Sequence, residues 1–175
     1  MFFSVYTLGC KLNQLETEAI SDSFCREGFS LVSMNHADCS DEPWIIVVNT
    51  CTVTSMAEQK ARRVIRKAMK DHSGACFIIT GCYAQMEWAA LTALGKNSSG
   101  RFFVIPGERK DRILDLPRFL VDAGEALEKN SSLLPGFIAS WFVHNIAGQK
   151  DDEAGNPGTF RFTPLNFSSH SRGFL

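Results

Sequence analysis

The chain has 175 residues, 45% of them hydrophobic, with a formal net charge of -1, which is enough for one compact domain and some chain left over. Near-neutrality excludes a surface that traps nucleic acid as a whole, so any basic face must be local. The N-terminus has no basic n-region and no run reaches the roughly 18 apolar residues of a membrane span, so a cytoplasmic protein with no membrane partner is expected.

Continuous apolar runs at 2–6, 44–48, 76–80 and 102–105 show no alternation, as expected of strands buried on both faces of a parallel sheet. After the first run, Asn13 with Glu16 three residues on reads as a helix cap. Leu15, Ala19, Ile20, Ser23 and Phe24 share one face of that helix, and Gly28 suits its end. A short strand is expected over 29–34. Ser55 and Glu58 form a capping-box pair ahead of Ala57, Ala61, Val64, Ile65, Ala68 and Met69 at helical spacing. A third helix is predicted over 86–94 and a fourth over 109–121, with Pro117 either kinking it or starting a new turn. The alternation predicts an α/β fold: a doubly wound parallel sheet with helices on both faces. The domain is expected to end at 121. Residues 122–175 read as loop or linker, with one packed helix or strand near 137–143.

Six cysteines, at 10, 25, 39, 51, 76 and 82, in a chain with no secretory signal point to buried thiols, catalytic groups or metal ligands rather than a disulfide framework. Cys10, Cys51 and Cys82 each follow a predicted parallel strand by a few residues. The carboxyl ends of such strands form the ligand crevice of an open sheet, so the three thiols are expected to converge there. Converging thiolates suit zinc or an iron–sulfur cluster, and three ligands instead of four leave a metal position open. Gly9, Thr50, Thr52 and Gly81 beside them are small and let backbone approach. Cys25 and Cys76 read as core thiols, and His36 with Cys39 as part of a solvated loop.

The blocks T-L-G-C-K-L-N-Q-L-E-T-E-A, V-N-T-C-T-V-T-S-M-A-E-Q-K-A-R-R and I-T-G-C-Y-A-Q closely resemble the N-terminal domain of the radical S-adenosylmethionine methylthiotransferases, and the likeness covers about residues 2–120. The resemblance implies a flavodoxin-like fold in which Cys10, Cys51 and Cys82 hold an auxiliary 4Fe-4S cluster with one iron free to bind sulfur. It also implies a full-length enzyme with a second 4Fe-4S cluster and S-adenosylmethionine, which inserts a methylthio group into a C–H bond. K-L-N-Q after Cys10 is similar to the subgroup acting on N6-threonylcarbamoyladenosine beside the tRNA anticodon. The C-x-x-x-C-x-x-C triplet of the radical centre does not occur in this sequence, and neither does the family's C-terminal RNA-binding domain. The closing H-S-R-G-F-L resembles the lead into the radical domain, so the 175 residues are expected to bind the auxiliary cluster and not to catalyse methylthiolation alone.

The helix after Cys51 carries Lys60, Arg62, Arg63, Arg66, Lys67 and Lys70, read either as a solvated amphipathic face or as phosphate contacts to the tRNA. Asn13, Asn49, Thr50 and Gln85 flank the cysteines as possible second-layer groups, capping being the preferred role of Asn13. Phe102, Phe103, Trp44, Trp88 and Trp141 read as packing residues. Two other classes are weighed. A flavin-binding module lacks a phosphate cradle, since G-C-K-L-N-Q-L offers one Gly, and a structural zinc or non-catalytic scaffold module is the alternative for the chain alone.

Overall fold

The computed structural model describes residues 1–33, 41–52 and 55–147. Each continuous apolar run forms a strand: β1 (Phe2–Thr7), β3 (Ile45–Thr50), β4 (Cys76–Gly81) and β5 (Phe102–Val104), with a two-residue β2 (Ser30–Leu31). The sheet order is β2-β1-β3-β4-β5 and every neighbouring pair is parallel. The chain leaves β1 in one direction to build β2 and returns past it to build β3, so the expected doubly wound α/β fold is present, with its switch point between β1 and β3.

Alternate strand residues feed two cores. Phe3, Val5, Ile45, Val47 and Ile78 pack on one face beneath α1 (Lys11–Arg26), while Ile46, Val48, Phe77 and Ile79 pack on the other beneath α2 (Ser55–Asp71). Helix α1 ends as the lone Gly28 suggests: Gly28 has φ +83°, its N–H donates to the Cys25 carbonyl at 3.1 Å and the Phe29 N–H to the Phe24 carbonyl at 3.1 Å. That paired pattern is a Schellman stop, closed by Phe24 against Phe29 with ring centroids 5.3 Å apart.

The buried stripe of α1 is Asn13, Glu16, Thr17, Ala19, Ile20 and Phe24. Leu15, expected inside, is 41% exposed because three polar side chains take the face that its burial would require. The helix expected over 86–94 starts earlier and is interrupted. It forms α3 (Cys82–Met86) and α4 (Trp88–Leu94), separated at Glu87, whose φ/ψ of -120°/38° lies outside the helical region. The helix expected over 109–121 is a 3₁₀ segment (Gly107–Asp115) followed by α5 (Leu116–Asp122), with Pro117 in its first turn. Proline here starts a new helix, where its missing N–H is no loss.

Residues 124–147 correct the loop-or-linker reading. They form α6 (Gly124–Lys129), α7 (Leu134–Phe142), which is the packed element expected near 137–143, and a π-helical turn (Val143–Ala147). Leu127, Leu134, Ile138, Trp141 and Ile146 are buried in the same core as Phe3 and Val47. The core therefore continues past 121. Residues 148–175, with the closing H-S-R-G-F-L, and the loop with His36 and Cys39 lie outside the described residues, as does the Ser55 side chain expected as a cap. No helix among the described residues is long and apolar enough to cross a membrane.

Trp141 is 2% exposed, so Trp141→Ala is expected to lower unfolding free energy by about 3–5 kcal/mol. Urea unfolding followed by circular dichroism measures this. A change below about 0.5 kcal/mol would restore the linker reading.

Candidate functional site

The site is built from the turns that leave three adjacent strands. Thr7 of β1 pairs with Asn49 of β3, and Thr50 of β3 pairs with Gly81 of β4, so the chains emerge side by side, ~5 Å apart as neighbouring strands are. Cys10 is the residue before α1 and is exposed. Cys51 directly follows β3 and is 5% exposed, and Cys82 opens α3 and is exposed. All three are free thiols. The strand-end placement expected from the sequence is thus met by each cysteine.

The turns meet backbone to side chain. Gly9 has φ +141°, and a Cβ there would lie 2.4 Å from Cys51 Cβ and 3.2 Å from its Sγ. Gly81 has φ +100°, and a Cβ there would lie 2.1 Å from the Thr50 carbonyl oxygen. Both positions thus combine a conformation that favours glycine with a contact no side chain fits. Gly107, which the sequence reading did not single out, brings the 3₁₀ segment against the Gly81 carbonyl. Its only sequence signal is the Pro106–Gly107 turn after a strand. Among the described residues no group of three or more His, Cys, Asp or Glu could hold a metal ion as the side chains stand. The fold supplies three thiols on one edge with glycines between them.

Asn13 corrects the capping expectation. Its Nδ2 donates to the Thr50 carbonyl at 3.0 Å, to Asn49 Oδ1 at 3.2 Å and to the Leu8 carbonyl at 3.5 Å, and its Oδ1 accepts from Cys10 Sγ at 3.5 Å. Helix α1 begins earlier, at Lys11, which places Asn13 on the inner face. Asn49 in turn donates to the Asn13 carbonyl (3.1 Å), Thr17 Oγ1 (3.2 Å) and Glu16 Oε2 (3.4 Å). Glu16 pairs with Lys110 at 2.5 Å, the two side chains being 3% and 13% exposed. The Glu16–Lys110 pair went unread in the sequence, where Glu16 passed as a capping partner. A charged residue on the same helical face as Ile20 and Phe24 was the available signal.

Gln85 accepts from the Glu108 N–H at 3.2 Å, and Thr50 Oγ1 donates to the Thr80 carbonyl at 2.6 Å, so both are engaged in holding backbone. Thr52 Oγ1 donates to Met86 Sδ at 3.4 Å. Leu12, Met56, Met86 and Trp88 are exposed near the helix starts on this edge, and Trp88 at 49% exposure is not the packing residue expected, because the break at Glu87 turns it outward. Cys25 is exposed, not a core thiol, since it lies one residue round the helix from buried Phe24. Cys76 is the buried thiol expected, and burial pushes it up to about 11 against a small opposing pull from Arg101.

The basic residues of α2 divide into two sets. Arg62 pairs with Glu58 at 3.4 Å and lies 5.7 Å from the centre of the Tyr83 ring, and Lys67 pairs with Asp71 at 2.5 Å. Lys60, Arg63, Arg66 and Lys70 are exposed and make no ion pair among the described residues.

A family model described as "Uncharacterized protein family UPF0004" matches residues 3–100. A threonylcarbamoyladenosine tRNA methylthiotransferase of Treponema pallidum is 43% identical over 117 residues, covering 66% of this chain and 23% of the relative. The Bacillus subtilis protein of the same name is 39% identical over 89 residues, 51% of this chain and 19% of its own. A ribosomal protein uS12 methylthiotransferase of a Roseiflexus species is 33% identical over 94 residues, 53% of this chain and 19% of its own. The matched part of the chain thus spans about a quarter or less of each relative's length.

On iodoacetamide treatment of the native chain at pH 8, Cys10, Cys25 and Cys82 are expected to be modified and Cys51 and Cys76 spared, as read by peptide mass spectrometry. Cys76 keeps its proton in the fold and loses it near 9.0 when unfolded. Stability therefore falls as pH rises from 9 towards 11, by about 2–3 kcal/mol in all, and Cys76→Ala is expected to flatten that fall.

Proposed function

The chain belongs to the UPF0004 family, and from that membership we propose that it is the N-terminal sulfur-supplying domain of a tRNA methylthiotransferase, with N6-threonylcarbamoyladenosine beside the anticodon as the base modified. The observation that carries this reading is the placement of Cys10, Cys51 and Cys82 at the ends of three adjacent strands in a chain similar to enzymes of that name. By residue type the donor set suits an iron–sulfur cluster, with three free thiols and two glycines, Gly9 and Gly81, at which the turns leave no room for a Cβ, although as the side chains stand the thiols do not form a metal-holding group. Cys10, Cys51 and Cys82 would hold it, and a bound 4Fe-4S cluster would supply the sulfur that becomes the methylthio group.

The chain's own residues bind and orient. Cys51 forms the buried side of the site, and Cys10 and Cys82 its solvent side. On α2, Lys60, Arg63, Arg66 and Lys70 make no ion pair among the described residues and could meet tRNA phosphates, whereas Arg62 and Lys67 pair with Glu58 and Asp71. Hydrogen abstraction belongs to a radical centre with S-adenosylmethionine and its own 4Fe-4S cluster, for which this sequence carries no C-x-x-x-C-x-x-C triplet. The 175 residues alone therefore hold sulfur without transferring it.

Anaerobic reconstitution with iron and sulfide, followed by metal analysis and Mössbauer spectroscopy, is expected to give about four iron and four sulfide per chain, lost in Cys51→Ala. Stoichiometric zinc with no sulfide would replace this reading with a structural zinc module.

Arg63→Glu with Arg66→Glu is expected to weaken tRNA binding and to reduce the slope of log affinity against log salt by about two. Filter binding between 50 and 200 mM salt (about the range where such slopes are read) measures it. An unchanged slope would leave α2 a solvated face.

A further inference from the structure

We propose that Asn13 and Asn49 are a positioning pair that ties the Cys10 and Cys51 turns together and packs against the Cys82 turn, anchored by the largely buried Glu16–Lys110 ion pair; this deepens, and rests on, the reading of those cysteines as one site. Asn13 is 1% exposed and Asn49 0%. The single Asn13 amide bonds to the carbonyl of Leu8, in the turn before Cys10, and to that of Thr50, the residue before Cys51. Its oxygen takes the Cys10 thiol. Asn49 Oδ1 receives Asn13 Nδ2 and lies 2.6 Å from where a Gly81 Cβ would stand, so it also abuts the residue before Cys82.

The tie closes into a ring. Asn49 donates to the Asn13 carbonyl, Thr17 and Glu16 on α1. Glu16 is held by Lys110 on the 3₁₀ segment, whose Gly107 rests on the Gly81 carbonyl. Each strand end bearing a cysteine is thereby connected to the next through side chains as well as through the sheet.

Apolar residues would fill this volume at no loss of stability, since a buried ion pair is often no better than a hydrophobic set of the same size. Leucine at position 13 would also extend the apolar stripe of Ile20 and Phe24. What leucine cannot do is bond the Leu8 and Thr50 carbonyls at once. The polar choice is explained by placement of the turns, not by adhesion of α1 to the sheet.

The test compares Asn13→Ala with the parent in the 175-residue chain by two measurements: metal-free hydrogen exchange, and the rate at which a chelator strips a reconstituted cluster. Exchange is expected to rise in peptides over 8–11 and 50–52 and to hold over 76–79, and stripping to accelerate about fivefold, the change that one lost hydrogen bond gives. Asn13→Ser is measured alongside in case the alanine variant does not fold, with the same local rise expected. Unchanged exchange at both turns overturns the proposal. So does a uniform rise across the sheet in both variants, which marks general destabilisation. A parent chain that takes up no iron and sulfide refutes the shared cluster site instead, and the exchange measurement still decides the tie.

Discussion

Strand β3 is hydrogen-bonded to β1 on one edge and to β4 on the other, and all six of its residues are buried. No side chain on it reaches water, so polar groups at its carboxyl end must be satisfied by protein. Ile45, Ile46, Val47 and Val48 meet that demand by being apolar. Asn49 and Thr50 cannot, and the surroundings are arranged for them: α1 turns Asn13 and Thr17 inward to meet Asn49, and Thr50 bonds the carbonyl of Thr80 across the sheet. The polar stripe on α1 and the outward displacement of Leu15 both follow from a central strand that ends in two polar residues.

The same constraint sets where energy is given up. Glu16 is almost wholly removed from water and Lys110 largely so, the two paired with each other and Glu16 also meeting Asn49, and desolvation offsets much of their attraction. Thr80 Oγ1 and Tyr83 OH are buried with no hydrogen-bond partner among the described residues, a cost of about 1–3 kcal/mol for each group so left. Burial raises the Tyr83 phenol, with the nearby Arg62 pulling the other way. Most of these penalties lie towards the carboxyl ends of the strands, while the amino-terminal halves are mainly apolar, with Ser4 and Cys76 the exceptions among buried residues there.

The strands were legible because a strand buried on both faces needs an unbroken apolar run, and nothing else in this chain looks like 45–48 or 76–80. Gly28 was legible because its φ leaves few alternatives. Asn13 was misread because an asparagine just after a glycine-containing turn looks the same whether it caps a helix or points into the core. The difference lies in Asn49, thirty-six residues on, and a contact at that separation leaves no local pattern. Of residues 124–147 only the packed element near 137–143 was legible, because short α, 3₁₀ and π turns follow one another there, so the 3.6-residue period rarely persists long enough to read. The three cysteines were placed by the strand-end rule, whereas the glycine contacts that bring their turns together required coordinates.

Helix α2 connects the two halves of the functional reading. Its first turn carries Met56, 78% exposed, a few residues past Cys51, while Arg63 and Arg66 follow ~10 and ~15 Å along the axis at 1.5 Å per residue. On the proposed reading, an RNA lying along this helix would meet apolar side chains near the thiols and positive charge farther out. A modified base must lose its water to be handled at carbon, and phosphates need cations that are not already paired. Arg62, held over Tyr83 by Glu58, is spent on packing α2 against α3. On the proposed reading, Lys60, Arg63, Arg66 and Lys70 would be left for the phosphates, at distances from the Cys51 turn set by the rise of α2.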